Sequence, residues 1–222
     1  MITMEGEKIK RTRNKEVTKR KILDATSRIV LRDGFKAVGI NAVAREAGVD
    51  KVMIYRYFNN LMGLLEALTK EKDYWLIVFN NVSQNLDNAS IEDLKNISVG
   101  LFTEMLRYLL QNREMQELLL WELTDKNEIS AKTTSLREEQ GIAIMNQLEA
   151  LFRAKNIDSA AFSALMVAGI YFLVLRSKTV DVFNGVPLNT PEGWKRIENI
   201  VEFTCGLFVN ELILNGEKNK KS

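Results

Sequence analysis

Residues 34–65 read GFKAVGINAVAREAGVDKVMIYRYFNNLMGLL, and this stretch decides the fold. Its spacing predicts a short helix centred on residues 41–47, a tight turn at Gly48-Val49-Asp50, and a second short helix over residues 51–57. A long amphipathic helix is predicted to follow. Two helices joined by three or four residues that include a glycine form a helix-turn-helix, whose second helix can enter the major groove of DNA.

The residues of this turn have physical reasons to be there. Gly48 can adopt the left-handed conformation that ends a helix. The carboxylate of Asp50 can accept a hydrogen bond from the first turn of the next helix. Ala44 and Ala47 are small, so the two helices can cross closely. The apolar residues at the inner positions predict a small core of Val43, Val49 and Ile54.

The same stretch resembles the DNA-binding part of the TetR family of bacterial transcription regulators. The resemblance rests on AGVD at residues 47–50 and YRYF at residues 55–58, which match the family's turn and the end of its recognition helix. ILDA at residues 22–25 and RDGF at residues 32–35 fit the family's first helix and its end. The match covers roughly residues 17–70. Beyond that point the likeness lies only in length and helical character.

Several positions depart from the family pattern. Gly39 stands where the family usually has a Ser or Thr cap, Asn41 where an Arg is common, and Leu61 where a Lys often holds the DNA backbone. Val52 and Met53 replace a frequent Gly-Thr pair at the start of the recognition helix. Because the core-forming positions remain apolar, these departures bear on the operator sequence and not on the fold.

The resemblance implies a set of DNA contacts. A lysine at the start of the recognition helix can reach a guanine edge or a phosphate, apolar side chains can touch thymine methyl groups, and tyrosine hydroxyls can bind phosphates. The residues assigned to DNA binding are Asn41, Lys51, Val52, Met53, Tyr55, Arg56, Tyr57 and, in a basic N-terminal arm, Lys10, Arg11 and Arg13. Two alternatives stay open: Tyr55 as part of the core, and Lys19 with Arg20 as a solvated face.

Charge and rare residues restrict the classes of function. Residues 1–60 hold 14 Lys and Arg against 7 Asp and Glu, whereas the remainder holds 17 against 22. A basic N-terminal part on an acidic remainder indicates a nucleic-acid-binding head on a body that does not bind DNA. The sequence has no histidine, the commonest general base and metal ligand. Its single cysteine, Cys205, excludes an intrachain disulfide and is predicted to be a buried, inert thiol.

The wider pattern predicts an all-α protein of about nine helices, because only two prolines occur and apolar residues recur at intervals of three and four. We predict a charged, mobile arm over residues 1–14. The helix-turn-helix domain is expected over residues 1–60, and a helical effector-binding and dimerisation domain over residues 61–222. One continuous helix is predicted over about residues 60–86, and a loop over residues 183–191.

The last two helices are predicted to form a homodimer interface. The helix over about residues 158–182 is apolar almost all round between Ala160 and Leu175, and the final helix is apolar on more than one face. The resemblance implies a two-fold dimer that covers this surface and presents two recognition helices to a pseudo-palindromic site. The alternative is that both helices lie inside the monomer.

Two features bear on location. The apolar run has about 16 residues, fewer than the ~20 that cross a bilayer. The N terminus is too polar for a secretory signal. We therefore expect a cytoplasmic protein with no membrane partner.

The resemblance also implies a small-molecule pocket among the middle helices. Its predicted walls are Trp75, Phe79, Phe102, Met105, Trp121, Met145 and Phe172, with Glu122 and Arg176 as residues that could orient a polar ligand group. For each apolar residue, ordinary core packing is the alternative. Glu122 and Arg176 could equally pair with each other or face solvent. The apolar walls predict a hydrophobic or aromatic effector, and no cofactor is expected.

Together these features predict a DNA-binding transcription regulator, most simply a repressor released from its operator by a small effector. The effector would bind more tightly to the DNA-incompetent state, and the helix over about residues 60–86 would transmit the change. The rival function is an all-α enzyme or a carrier of hydrophobic ligands that does not bind DNA. The missing histidine argues against an enzyme, and the basic head would have no purpose in a carrier.

Overall fold

The computed structural model describes residues 2–82, 90–125, 128–152 and 158–219. Its helices, in chain order, are α1 (Ile2–Asp33), a short 3-10 helix (Phe35–Ala37), α2 (Ile40–Ala47), α3 (Lys51–Phe58), α4 (Leu61–Lys72), α5 (Tyr74–Val82), α6 (Ile91–Gln111), α7 (Arg113–Thr124), α8 (Glu128–Phe152), α9 (Ser159–Arg176) and α10 (Pro191–Asn219). Two short strands, β1 (Val182–Phe183) and β2 (Val186–Pro187), pair antiparallel before α10. The predicted all-α class is confirmed.

The chain divides into two compact units. We call the first unit the head (Met1–Asp73 with Glu117–Ala131) and the second unit the body (Tyr74–Gln116 with Lys132–Ser222). Each unit is built from two stretches of chain, because α7 begins among the residues of the body and ends among those of the head. The domain boundary that the sequence suggested at residue 60 stays a prediction.

The head is held together by apolar side chains that α1 shares with the short helices after it. Residues with little or no exposed surface recur at helical spacing along α1 and continue on α2, α3 and α4: Ile22, Ala25, Ile29, Val30, Val43, Ile54 and Leu64. Phe35 adds an aromatic contact, since its ring stacks on Trp121 of α7 with 4.7 Å between the ring centroids. The predicted core positions Val43 and Ile54 are buried, and Val49 is half-buried.

The body has its own core, formed mainly where α6 and α10 pack together. Leu94, Ile144, Val209 and Leu212 form a buried cluster there. At the start of α5, the Tyr74 hydroxyl donates to the Leu101 carbonyl oxygen at 2.8 Å. Burial raises the pKa of this phenol well above its ordinary value, so the hydroxyl keeps its proton and the hydrogen bond.

Helix starts in the body follow the capping residues of the sequence. Ser90 and Asp93 form a reciprocal capping box in which each side chain accepts a hydrogen bond from the other's backbone. Helix α6 therefore begins at Ile91 and runs to Gln111. Asp158 caps α9 by accepting from the Ala161 N–H at 2.8 Å.

The prediction of one continuous helix over about residues 60–86 is wrong, because the helix is interrupted at Asp73. This residue has extended backbone angles (φ −71°, ψ 116°), and its N–H closes α4 by donating to the Thr69 carbonyl oxygen. Aspartate favours helix ends over helix interiors, since its side chain competes for local hydrogen bonds. The apolar period continues across the break and therefore hides it.

Two further predictions about helix limits are corrected. Residues 2–14 belong to α1, and the predicted mobile arm over residues 1–14 is thus wrong for its described backbone. Helix α9 ends at Arg176, and part of the predicted loop over residues 183–191 is a hairpin. Its turn is Asn184-Gly185, where both residues have positive φ (47° and 74°), as a two-residue hairpin turn requires.

Helix α9 is unusual for its apolar surface. Over Ser159–Arg176 its mean hydropathy is 1.7, and only 17% of that window is buried. By length and composition alone the helix could cross a membrane. The same observation fits a helix of a soluble protein whose apolar side awaits a partner.

Candidate functional site

The start of α3 is fixed by the turn that precedes it. Gly48 is left-handed (φ 60°, ψ 44°), and its N–H donates back to the Arg45 carbonyl oxygen. The Asp50 carboxylate accepts from the Val52 N–H at 2.8 Å, which satisfies one of the first free donors of α3. Both roles were predicted from the sequence, and both are confirmed.

The end of α3 is fixed by a close approach to α4. Phe58, the last residue of α3, is buried. Asn59 follows it with a positive φ of 66°. Asn60 then caps α4 by accepting from the Gly63 N–H at 2.8 Å. Gly63 lies so near the Phe58 carbonyl that a Cβ added to it would be 2.0 Å from that oxygen, so only glycine fits.

Four of the predicted DNA-contact residues are exposed together on α3. Val52 is 56% exposed and Tyr55 48% exposed, which are high fractions for apolar and aromatic side chains. Lys51 and Arg56 are exposed on the same helix. The alternative that placed Tyr55 in the core is therefore wrong. Met53 and Tyr57 are half-buried on α3, and Asn41 is exposed on α2.

Part of the positive charge of the head is already neutralised. Glu46 on α2 accepts from the Arg28 guanidinium at 2.8 Å and from that of Arg32 at 3.3 Å. The hydrogen bonds from Arg28 and Arg32 lower the pKa of the Glu46 carboxyl, which therefore stays charged at neutral pH. Arg20 pairs with Asp24 at 2.9 Å and with Glu71 at 3.0 Å. These arginines hold the head together, while no ion pair involves Lys51 or Arg56 in the described part of the chain.

The N-terminal arm and the start of α2 complete the interface predicted from the sequence. Lys10, Arg11 and Arg13 lie on α1, and their side chains fall outside the described part of the structure. Gly39 precedes α2 in an extended conformation and supplies no side-chain cap. For all these residues, DNA contact stays a prediction.

The residues predicted to line a ligand pocket do not come together as one set. Phe102 and Met145 line a cavity in the body. Met105 is fully buried on α6, and Trp75 donates its indole N–H to the Tyr171 hydroxyl at 2.9 Å. Phe172 is half exposed, and its ring packs edge-on against Phe183 of the hairpin.

Trp121, Glu122 and Arg176 occupy separate places. Trp121 belongs to the head, where it stacks on Phe35, and Glu122 is half-buried beside it. Arg176 is exposed at the end of α9 and donates to the Thr179 hydroxyl at 3.4 Å. The side chain of Phe79 lies outside the described residues. Their assignment to a ligand site stays a prediction.

The cavity in the body has a volume of about 440 Å³, which includes space open to solvent. Its described lining comes from α6, α8, α9 and α10 and consists of Ser98, Leu101, Phe102, Met145, Ser159, Phe162, Ser163, Cys205, Phe208, Val209 and Leu212. The sequence could not single out these serines, because small polar residues also occur by chance on helices. Elsewhere in the described residues, no group of three or more Cys, Asp or Glu is arranged to hold a metal ion.

Comparison with known proteins supports the geometry of the head. Residues 22–68 match the family model described as bacterial regulatory proteins, tetR family. Over 54 residues the chain is 35% identical to an uncharacterized helix-turn-helix type transcriptional regulator, YvkB, of Bacillus subtilis. That match spans 24% of this chain and 29% of the relative.

Two solved structures resemble nearly the whole chain. NalD, the secondary repressor of the MexAB-OprM multidrug efflux pump in Pseudomonas aeruginosa, gives a TM-score of 0.58 at 18% identity over 85% of this chain and 97% of that one. FadR of Bacillus subtilis in complex with stearoyl-CoA gives 0.57 at 16% identity over 84% and 96%. At these identities the likeness shows the fold alone. Residues 22–68 therefore form a DNA-binding domain of the kind found in bacterial regulatory proteins of the tetR family, and the fold of most of the chain is similar to that of these two regulators.

Proposed function

We propose that the protein is a homodimeric transcription repressor that binds a pseudo-palindromic DNA site and leaves it when a small hydrophobic effector binds the body. The observation that carries the proposal is the exposed face of α3. A helix held at both ends presents Lys51, Val52, Tyr55 and Arg56 to solvent, where core packing uses none of them. Binding to the DNA major groove accounts for such a face.

The side chains of this face have separate tasks. Lys51 at the first turn reaches a guanine edge or a phosphate, and Val52 offers an apolar surface to a thymine methyl group. Tyr55 and Arg56 bind phosphates and set the orientation of the helix. Since Val52 replaces a small residue common in the family, this protein reads an operator of its own.

The dimer is supported by two apolar stripes on α10. One stripe is buried within the body and consists of Val201, Cys205, Val209 and Leu212. The other is exposed and consists of Ile200, Phe203, Leu207 and Leu214. The steps along the exposed stripe are three, four and seven residues, which is the spacing of a helix-helix seam. A second copy of the chain would cover it.

Helix α9 supplies the other half of the dimer surface. Its exposed side carries Ala161, Ala164, Leu165, Ala168, Gly169 and Phe172. The small residues on this side let a partner helix approach closely. Leu165 is 75% exposed in the monomer, and a partner helix would bury it.

A substitution on the exposed stripe tests the dimer. Leu207→Glu should yield monomers in sedimentation velocity, because a charge would be buried without a partner. Ile142→Glu is the matched control, since Ile142 on α8 is 55% exposed, as is Leu207, but lies off both stripes. A monomeric wild-type protein, or equal dissociation of both variants, would contradict the proposed interface.

The release of DNA by an effector rests on the cavity in the body. The NalD neighbour is a repressor and the FadR neighbour was solved with stearoyl-CoA, and both features fit a regulator with a hydrophobic ligand site. An effector can shift the protein away from DNA only by the difference between its affinities for the two states.

Salt-dependent DNA binding tests the regulator function most directly. Sites selected from a random duplex pool should be bound with an affinity that falls steeply as salt rises, because bound phosphates release counterions. Lys51→Ala should lower the slope of log K against log salt by about 0.9 per head, or about 2 per dimer. Lys51→Ala with Tyr55→Ala should abolish selection while changing the unfolding free energy by about 0.5 kcal/mol or less, since both residues are exposed.

Arg113→Ala provides the control for loss of charge, because Arg113 is an exposed cation of the body. It should leave DNA affinity and salt slope unchanged. If the wild-type dimer shows no affinity for duplex DNA even at low salt, the regulator proposal fails and a carrier of hydrophobic ligands becomes the better account.

A further inference from the structure

We propose that the cavity in the body binds an uncharged, mostly apolar ligand that presents one hydroxyl or carbonyl group to Ser159. The inference rests on the proposed regulator function, since it names the chemical class of the effector. Three features of the cavity carry it: the rigid aromatic wall, the lack of charge in the lining, and a serine hydroxyl without a hydrogen-bond partner.

The cavity has a wall of stacked rings. Phe162 of α9 and Phe208 of α10 stack in parallel with 3.9 Å between their centroids, and Phe102 of α6 packs edge-on against Phe162 at 6.1 Å. Such rings hold their positions through mutual packing, so the wall is formed before a ligand arrives. The space of about 440 Å³ beside this wall includes volume that is open to solvent.

The lining holds no charge among the described residues. Eight of the eleven lining residues are apolar and three are serines. Burial raises the pKa of the Cys205 thiol to about 12, so this group is also neutral at physiological pH. A carboxylate or phosphate in the cavity would lose much of its hydration and would meet no opposite charge among the described lining residues, which is strongly unfavourable. The lining therefore selects alcohols, ketones, esters or similar neutral molecules.

Ser159 supplies the polar end of the site. It is only 5% exposed, and its Oγ has no hydrogen-bond partner in the described structure. A buried hydroxyl in this state costs free energy, which a hydroxyl or carbonyl of a ligand would recover. Ser98 lines the same cavity, but its hydroxyl already donates to the Leu94 carbonyl oxygen at 2.7 Å. The two serines thus differ in what they can offer a ligand.

A pair of probes of equal chain length tests the neutral class. We would titrate the full-length protein by calorimetry at pH 8 with 1-nonanol and with nonanoate. The alcohol should bind at least about 100-fold more tightly, because the carboxylate charge would be buried without an opposite charge. Comparable affinity for the two probes, or no binding of 1-nonanol, would overturn the inference.

Three serine variants test the place and the anchor. Ser159→Ala should weaken 1-nonanol about 3- to 10-fold and leave the urea midpoint equal or higher, since its hydroxyl has no bond to lose. Ser98→Ala, the matched control, should change the affinity by less than about 2-fold. Ser163→Leu should abolish binding by filling the cavity. If Ser159→Ala and Ser98→Ala weaken 1-nonanol binding equally, Ser159 is not the anchor. This comparison does not depend on whether Ser163→Leu folds.

DNA binding of the same preparations separates this inference from the proposed function. A wild-type protein that selects DNA sites but binds no 1-nonanol overturns the ligand inference alone. A protein that binds 1-nonanol through Ser159 but has no affinity for DNA at low salt supports the site and overturns the regulator function.

Discussion

Gly63→Ala should destabilise the junction between α3 and α4, although it adds only one methyl group. The new Cβ would lie 2.0 Å from the Phe58 carbonyl oxygen and 3.2 Å from its carbon. Real carbon-oxygen contacts are rarely shorter than about 3.3 Å, so the two backbones must separate by more than 1 Å. Forcing them apart costs about 1–3 kcal/mol in strain. It also stretches the cap that Asn60 makes to the Gly63 N–H, worth about 0.5–2 kcal/mol.

The expected loss in unfolding free energy is therefore about 1.5–5 kcal/mol. Urea unfolding of the full chain, followed by circular dichroism at fixed protein concentration, measures it. Hydrogen exchange of peptides from α3 and α4 would show where protection is lost. DNA binding should weaken in parallel, because the end of α3 is positioned by this contact.

Gly100→Ala is the control for the same chemical change. Gly100 lies inside α6, where an added Cβ has nothing within 4 Å. Alanine should stabilise that helix by about 0.5–1 kcal/mol. The reasoning is refuted if both substitutions shift the urea midpoint in the same direction, or if Gly63→Ala leaves it unchanged.

Three further predictions concern single residues. Gly39→Ser should stabilise the head by a few tenths of a kcal/mol up to about 0.5, since Gly39 is extended, has room for a Cβ and supplies no cap to α2; a lower urea midpoint would contradict it. Asn59→Gly should stabilise by about 1 kcal/mol, because relief of strain at φ 66° outweighs the backbone entropy of glycine, and thermal unfolding checks the sign. Alkylation of Cys205 at pH 8 should be about a thousand-fold slower in the native protein than in urea, because burial raises its pKa from 9.0 to about 12. The alkylation rate should rise with pH up to about 12, and a rate that levels off near pH 9 would show an exposed thiol. The free energy of unfolding should fall between pH 9 and 12, because the Cys205 thiol has lost its proton in the unfolded chain but not in the native protein.

The local parts of the fold were predictable because each depends on a few neighbouring residues. Gly48, Asp50, the Ser90–Asp93 capping box and Asp158 act over three or four positions, so the sequence shows both partners of each contact at once. The core stripe of α1 was also visible, since burial repeats with the helical period.

The misplaced elements have physical causes as well. The helical spacing of the apolar residues continues on both sides of Asp73. The sequence pattern therefore gave no sign that the helix ends at this extended residue. The hairpin had a clear signal in Asn184-Gly185, which favours a two-residue turn. Pro187 nearby suggested a loop, but a proline is tolerated at the edge of a short pair of strands.

The cavity could not be predicted from the sequence. A void is a small difference between the volume that helices enclose and the volume that side chains fill, and no periodic pattern records it. Phe102 and Met145 were named for their size and do line it. The unsatisfied hydroxyl of Ser159, which distinguishes this serine from Ser98, emerges only when the positions of all possible partners are known.

If a second copy of the chain covers the exposed stripe of α10, as proposed, the supply of dimer depends on the concentration of the chain in the cell. A newly synthesised chain exposes Ile200, Phe203, Leu207 and Leu214 until it meets another copy, and the rate of that meeting rises with the square of the number of chains. Chains that remain monomeric expose an apolar helix face, which makes them prone to proteolysis and aggregation. A low level of mRNA would thus yield disproportionately little dimer. Translation of several chains from one mRNA would favour assembly, because the new chains are close together.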